Sequence, residues 1–178
     1  MYKNIFSKFN STPSKAFTLI ETMVSLMMIS VALLGIYAAI AKYTQQTKQV
    51  KENYIASLLG QEGIEIIRNL RDTNWITGGR AAFSTGLISS NCNVDGTGGW
   101  RVDYLATSTA DLVSNTAPVP YLYTNDTNGF YNYTSGTVTP YKRQICVVED
   151  GDILHVSVVI YWTSHSTTIK EDLYNWKW

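Results

Sequence analysis

The fold of this chain is decided by the stretch FTLIETMVSLMMISVALLGIYAAIA, residues 17–41. It carries a single charge, Glu21, and as a helix it would be about 37 Å long. That length is enough to cross a hydrocarbon core of about 30 Å. The 16 residues before it hold three lysines and no acid. The positive-inside rule therefore predicts one membrane crossing, with residues 1–16 in the cytoplasm and everything after Ala41 outside.

Two ordinary kinds of N-terminal segment compete to explain this stretch. A secretory signal peptide has a shorter apolar core that is followed by a small-residue cleavage site, and neither feature fits here. A signal anchor fits the length and the flanking charge. It does not explain Glu21, an acid four residues after Phe17. An ionisable residue in a membrane span is costly and by default marks a function.

The residues around this acid resemble the processing site of a known family. The string KAFTLIE, residues 15–21, is similar to the prepilin peptidase site of type IV pilins and of type II secretion pseudopilins. The resemblance implies cleavage between Ala16 and Phe17, N-methylation of Phe17, and assembly of subunits through the apolar helix. The family usually has glycine before the cut, so Ala16 departs from its pattern. Because alanine is the next smallest residue, we expect processing to continue at a lower rate.

The resemblance gives Glu21 a role that electrostatics supports. Cleavage places a cationic amine on Phe17 close to an apolar phase, where it and the Glu21 carboxylate attract each other strongly. A pair between adjacent subunits would neutralise both charges and fix the register of neighbouring helices. Neutralisation within one subunit is the alternative, but it gives no reason to assemble.

The resemblance also implies partners and a location. The partners are other pilin subunits through the N-terminal helix, the prepilin peptidase and methyltransferase, the membrane, and an assembly platform. The location is the bacterial cytoplasmic membrane, crossed once with the N-terminus inside, and afterwards an extracellular filament.

Beyond the apolar stretch we expect the helix to continue as an amphipathic half, residues 42–75. No proline occurs between Thr18 and Arg71, so one helix can run throughout. Apolar residues recur there at helical spacing and predict a face that packs on a sheet: Ile55, Leu58, Leu59, Ile66, Ile67 and Leu70. The segment QEGIEIIRNLRD, residues 61–72, resembles minor pilins of the V type and type II secretion pseudopilins of the I type.

Residues 76–178 predict an extracytoplasmic β-rich domain, because aromatic and β-branched residues that suit a pleated sheet are common there. The predicted strands are Trp100–Leu105, Lys142–Val148, Leu154–Trp162 and Thr167–Leu173. The second and third form a hairpin across the turn EDGD, residues 149–152. The fold class is therefore α+β, with a long N-terminal helix packed on a small antiparallel sheet.

The two cysteines, Cys92 and Cys146, both lie in the predicted β-rich domain. Outside the cytoplasm such a pair is expected to form a disulfide. Closing a loop of this length would stabilise the domain by about 4 kcal/mol on the chain-entropy model. Two buried free thiols are the alternative.

Composition and spacing argue against several other functions. Residues 76–178 hold six basic and nine acidic residues, without the clustered basic face of a nucleic-acid binder. His155 and His165 accompany no recognisable nucleophile, and their spacing from the cysteines does not suit zinc. Residues 126–129, DTNG, are expected to form a turn and not a calcium loop. We therefore expect no catalytic residues, no metal and no cofactor.

The resemblance and the residue pattern together favour a structural subunit of a type IV pilus-like filament, minor more than major. Within the same class the alternatives are a type II secretion pseudopilin and a major pilin. From another class the alternative is a signal-anchored extracellular enzyme or binding module.

Overall fold

The computed structural model describes residues 17–89, 92, 98–115 and 118–176. The described residues form one long helix, α1, which spans Leu19–Gly78, and two single 3₁₀ turns, Arg80–Ala82 and Thr109–Asp111. They also form seven strands: β1 Trp100–Arg101, β2 Val113–Ser114, β3 Tyr121–Thr124, β4 Tyr131–Asn132, β5 Thr137–Asp150, β6 Ile153–Trp162 and β7 His165–Tyr174.

The strands form one antiparallel sheet organised around β5. β6 pairs with β5 over ten consecutive residue pairs, from Tyr141↔Trp162 to Asp150↔Ile153, and β7 pairs with β6 over its whole length. On the other side of β5, β3 and β1 pair with different stretches of it, and β4 and β2 extend these two strands. The three long strands therefore form the main surface of the sheet.

The chain divides into two units, one that ends at Lys48 and one that begins at Gln49. In the first unit the described residues are Phe17, Thr18 and the first part of α1, and all of them are exposed. In the second unit the remainder of α1 packs on the sheet. Its core residues from the helix are Ala56, Leu59, Ile64, Ile67 and Leu70, and those from the sheet include Ile145, Val147, Val156, Val158 and Ile160. The predicted fold class is confirmed.

The helix face that meets the sheet differs in part from the predicted one. Leu58 was expected in the core but is 46% exposed. Two glycines explain the difference, because they let the sheet approach the helix closely. A Cβ on Gly60 would lie 2.6 Å from Ile169 Cδ1, and one on Gly63 would lie 3.0 Å from Val158 Cγ1. The contact between α1 and the sheet is therefore centred on two glycines, which a pattern of large apolar side chains does not include.

The three long strands occupy the predicted places and are longer than predicted. The interpretation of Trp100–Leu105 as one strand is wrong beyond Arg101. The cause is Asp103, whose Oδ1 accepts a hydrogen bond from Tyr104 N at 2.8 Å and whose carbonyl accepts one from Ala106 N at 3.1 Å. Such local bonding of an aspartate to its own backbone favours a turn over a strand.

Candidate assembly site

The start of α1 is fixed by Thr18, the residue immediately before the helix. Glu21 N donates to Thr18 Oγ1 at 3.3 Å and to Thr18 O at 3.0 Å. Thr22 N donates to Thr18 O at 3.2 Å. Thr18 thus acts as an N-cap that satisfies backbone N–H groups for which the helix has no internal acceptor. The helix therefore begins two residues after Phe17.

This cap places Glu21 in the first turn of the helix. A carboxylate there is stabilised by the positive end of the helix dipole, and the spacing Thr18-x-x-Glu21 is that of a capping box. The Glu21 side chain is exposed. Within the part of the chain that the structure describes, no basic side chain forms an ion pair with it. The carboxylate is therefore available to a group from outside the chain.

The helix that follows is apolar and uncovered. An 18-residue window within α1 has a mean hydropathy of 2.3 with none of it buried, so by length and composition the helix can cross a membrane. Two of its hydroxyl groups form hydrogen bonds within the helix: Thr22 Oγ1 donates to Leu19 O at 2.8 Å, and Ser30 Oγ donates to Leu26 O at 2.7 Å. They therefore need no water in an apolar phase.

The structure locates most of the residues that the sequence singled out. Phe17 is 76% exposed at the start of the described chain, and Ala16, like the rest of residues 1–16, lies outside the described residues. Cys92 and Cys146 form a disulfide with their Cα atoms 5.9 Å apart. The structure thus brings the two cysteines together and leaves Phe17 and Glu21 on an open helix end.

The predicted turn at residues 126–129 is confirmed over Asp126–Asn128. Asp126 Oδ1 accepts a hydrogen bond from Thr137 Oγ1 at 2.9 Å, which ties the turn to β5. Among the described residues, no three His, Cys, Asp or Glu side chains group together as a metal site.

Sequence reasoning missed a buried polar cluster beneath α1. The Arg143 side chain is wholly buried, its Nη1 lies 3.3 Å from Glu62 Oε1, and its Nη2 donates to Val102 O at 2.8 Å. Tyr133 Oη donates to Arg143 O at 3.4 Å, and burial raises the pKa of this phenol. The alternation of side chains along β5 could have indicated that Arg143 is buried, because Arg143 occupies an inward-facing position between Tyr141 and Ile145.

One comparison with known proteins gives a match. Residues 12–37 match the family model described as the prokaryotic N-terminal methylation motif. The matched range contains Ala16, Phe17 and Glu21 and ends within the exposed apolar helix. Comparisons with curated proteins and with solved structures gave no match.

Proposed function

We propose that this chain, which carries the N-terminal methylation motif of type IV pilins and pseudopilins, is a structural subunit of a type IV pilus-like extracellular filament. The observation that carries the proposal is the capped, exposed apolar helix with an acid in its first turn that forms no ion pair among the described residues. An exposed apolar surface of this size needs lipid before assembly and other subunits after it. The chain is held in the cytoplasmic membrane first and enters the filament later.

The processing steps follow from the residues at the start of the helix. Prepilin peptidase cuts between Ala16 and Phe17, and the new amine of Phe17 is methylated. This cation stands at the positive end of the helix dipole, where a cation is disfavoured and an anion is favoured. It therefore needs a carboxylate, and the exposed Glu21 of a neighbouring subunit supplies one. Only the intersubunit pair sets the axial position of one helix against the next.

We assign the chain to the minor subunits because residues 61–72 resemble minor pilins of the V type. A type II secretion pseudopilin and a major pilin use the same first helix and are the alternatives within the class. The alternative of another class is a signal-anchored enzyme or binding module. We propose no catalytic role, because the His155–Asp172 contact at 2.7 Å does not by itself make a catalytic set, which also requires a nucleophile.

N-terminal mass spectrometry of the protein purified from membranes and from filaments tests the proposal. The expected mature chain begins with N-methylated Phe17 in both fractions, and Ala16→Gly shortens the time for which the precursor persists. A chain that keeps Met1 in assembled filaments contradicts the proposal. A signal-anchored module would keep Met1 in the membrane and enter no filament. Quantitative mass spectrometry of the filaments then separates a minor from a major subunit by copy number.

A further inference from the structure

Three residues form a row across the outer face of the sheet, the face away from α1. Tyr121 of β3 lies directly opposite Lys142 of β5, and Lys142 lies directly opposite Tyr161 of β6. Directly opposed side chains in an antiparallel sheet have their Cβ atoms about 5 Å apart. The Tyr121 and Tyr161 side chains therefore lie on either side of the Lys142 side chain. We call these residues the Tyr–Lys–Tyr row.

The row forms the floor of an open cleft of about 290 Å³. Pro140, Trp162 and Thr163 complete its walls. Tyr161 Oη donates to Gln144 Oε1 at 2.9 Å, which holds one of the two rings in place. The cleft thus offers flat apolar surfaces that are already oriented, at a size suited to a small ligand or one unit of a larger one.

The charge of Lys142 gives the cleft a preference for anions. Its Nζ lies 4.4 Å from the centre of the Tyr121 ring, a cation–π contact that holds the ammonium without neutralising it. In the described part of the chain, no carboxylate lies within ion-pair distance of Lys142. A ligand with a carboxylate next to a flat apolar face fits both features.

The turn between β6 and β7 lies at the rim of the cleft and is strained. Thr163 has φ 49°, which makes it the one non-glycine residue with positive φ among those the structure describes. A β-branched residue rarely adopts this conformation, and tight two-residue turns favour asparagine or glycine there. Strained residues of this kind cluster at ligand sites. Thr163 supplies the cleft with a hydroxyl that glycine would not.

We propose that the Tyr–Lys–Tyr row binds an acidic saccharide. A uronic acid unit places its carboxylate at Lys142 and its pyranose face on the tyrosine rings. This binding is a property of the single subunit and does not depend on filament assembly.

Calorimetric titration of the full mature chain with trigalacturonate tests the proposal. The chain is held in lipid nanodiscs, because detergents with sugar headgroups would compete for the cleft. The expected result is saturable binding of one trisaccharide per chain. The trisaccharide methyl ester, which lacks the charge, and inorganic phosphate, which lacks the sugar, are expected to bind at least tenfold more weakly.

Three variants locate the binding. Lys142→Gln is expected to weaken binding at least tenfold, while the matched control Lys170→Gln, an exposed lysine on β7, leaves it unchanged. Thr163→Gly relieves the strain and is expected to raise the unfolding temperature while weakening binding. A purely structural role for Thr163 would change the unfolding temperature and leave the affinity alone.

Several results would overturn the proposal. One is the absence of binding at millimolar trigalacturonate, and another is an affinity that Lys142→Gln does not change. Equal affinity for phosphate and trigalacturonate would show a simple anion site and no saccharide site. A failure to form filaments leaves these titrations unaffected, so the two proposals fail independently.

Discussion

Arg143 Nη1 lies 3.3 Å from Glu62 Oε1, and this ion pair joins the central strand to the long helix. The Arg143 side chain is 0% exposed, whereas that of Glu62 is 33% exposed. The carbonyls of Leu59 and Val102 accept further hydrogen bonds from the guanidinium, at 3.3 and 2.8 Å. A buried charge is tolerated only with such partners. The cluster therefore fixes how α1 is placed on the sheet.

Glu62→Leu is expected to destabilise the sheet domain by about 3 kcal/mol, because it leaves the Arg143 cation buried without a counter-charge. Arg143→Met should cost a similar amount. The double variant should lose less stability than the sum of the two single losses, because an apolar pair can replace a buried ion pair. The expected difference is about 0.5–3 kcal/mol. Urea unfolding followed by tryptophan fluorescence measures all three. Strictly additive losses would show that the two side chains do not interact.

Gly63→Ala is expected to lower stability by roughly 1–2 kcal/mol, although alanine favours helix. The new Cβ would lie 3.0 Å from Val158 Cγ1 and 3.3 Å from Arg143 Cδ, and both side chains are enclosed by the core. Gln61→Ala, an exposed position on the same helix, is the matched control and should change stability by less than about 0.5 kcal/mol. Equal behaviour of the two variants in urea unfolding would contradict the close contact.

Removal of the disulfide by the double substitution Cys92→Ala and Cys146→Ala is expected to lower the free energy of unfolding by about 4 kcal/mol on the chain-entropy model. The reason is that the bond links two residues 54 positions apart and restricts the unfolded chain. Reduction of the unaltered protein should give the same loss. Thermal unfolding with and without a reductant measures both, and the double variant should no longer respond to the reductant. An unaltered protein that is also insensitive to reductant would contradict the bond.

Tyr133→Phe is expected to make stability less sensitive to alkaline pH. Burial raises the pKa of Tyr133 above the ordinary value of 10.0, so the unfolded state loses this proton first as the pH rises. The stabilisation is therefore complete below about pH 10 and is lost as the pH rises towards the folded pKa. Urea midpoints at about pH 8 and about pH 11 measure the difference. Tyr54→Phe, at an exposed helix position, is the control.

Glu21→Gln is expected to leave membrane insertion unchanged and to reduce entry into filaments strongly. The amide keeps the shape of the side chain and removes the charge that we propose to pair with the Phe17 amine of a neighbouring subunit. Membrane fractionation and immunodetection on sheared filaments measure the two steps. Thr22→Val, one residue further along the same exposed helix, is the control and should assemble normally. Normal incorporation of Glu21→Gln would refute the charge pair.

The main elements of the fold could be predicted because their patterns are local. The long run of apolar residues indicates the first half of α1. The alternation of side chains along β6 indicates a strand, and the apolar residues that line one face of it are all buried: Val156, Val158, Ile160 and Trp162. The strand at Trp100 was predicted too long because one aspartate side chain decided the turn. Local patterns carry the order of the elements but not every boundary.

The buried cluster and the Tyr–Lys–Tyr row could not be predicted in the same way. Arg143 contacts residues from the helix and from a loop, and Lys142 lies between two strands distant in sequence. Neither arrangement exists until strand register is set. The start of α1 is the opposite case, since Thr18, Glu21 and the apolar run are contiguous and identify the candidate site from sequence alone.

β7 pairs with β6 on one side only within the described chain, which leaves a ten-residue border of the sheet open. Glu171 in the middle of this border points towards the helix and pairs with Arg68. An inward charge of this kind discourages a foreign strand from attaching, because such a strand would have to desolvate it. We therefore expect that two copies of this domain brought close together do not join edge to edge through β7.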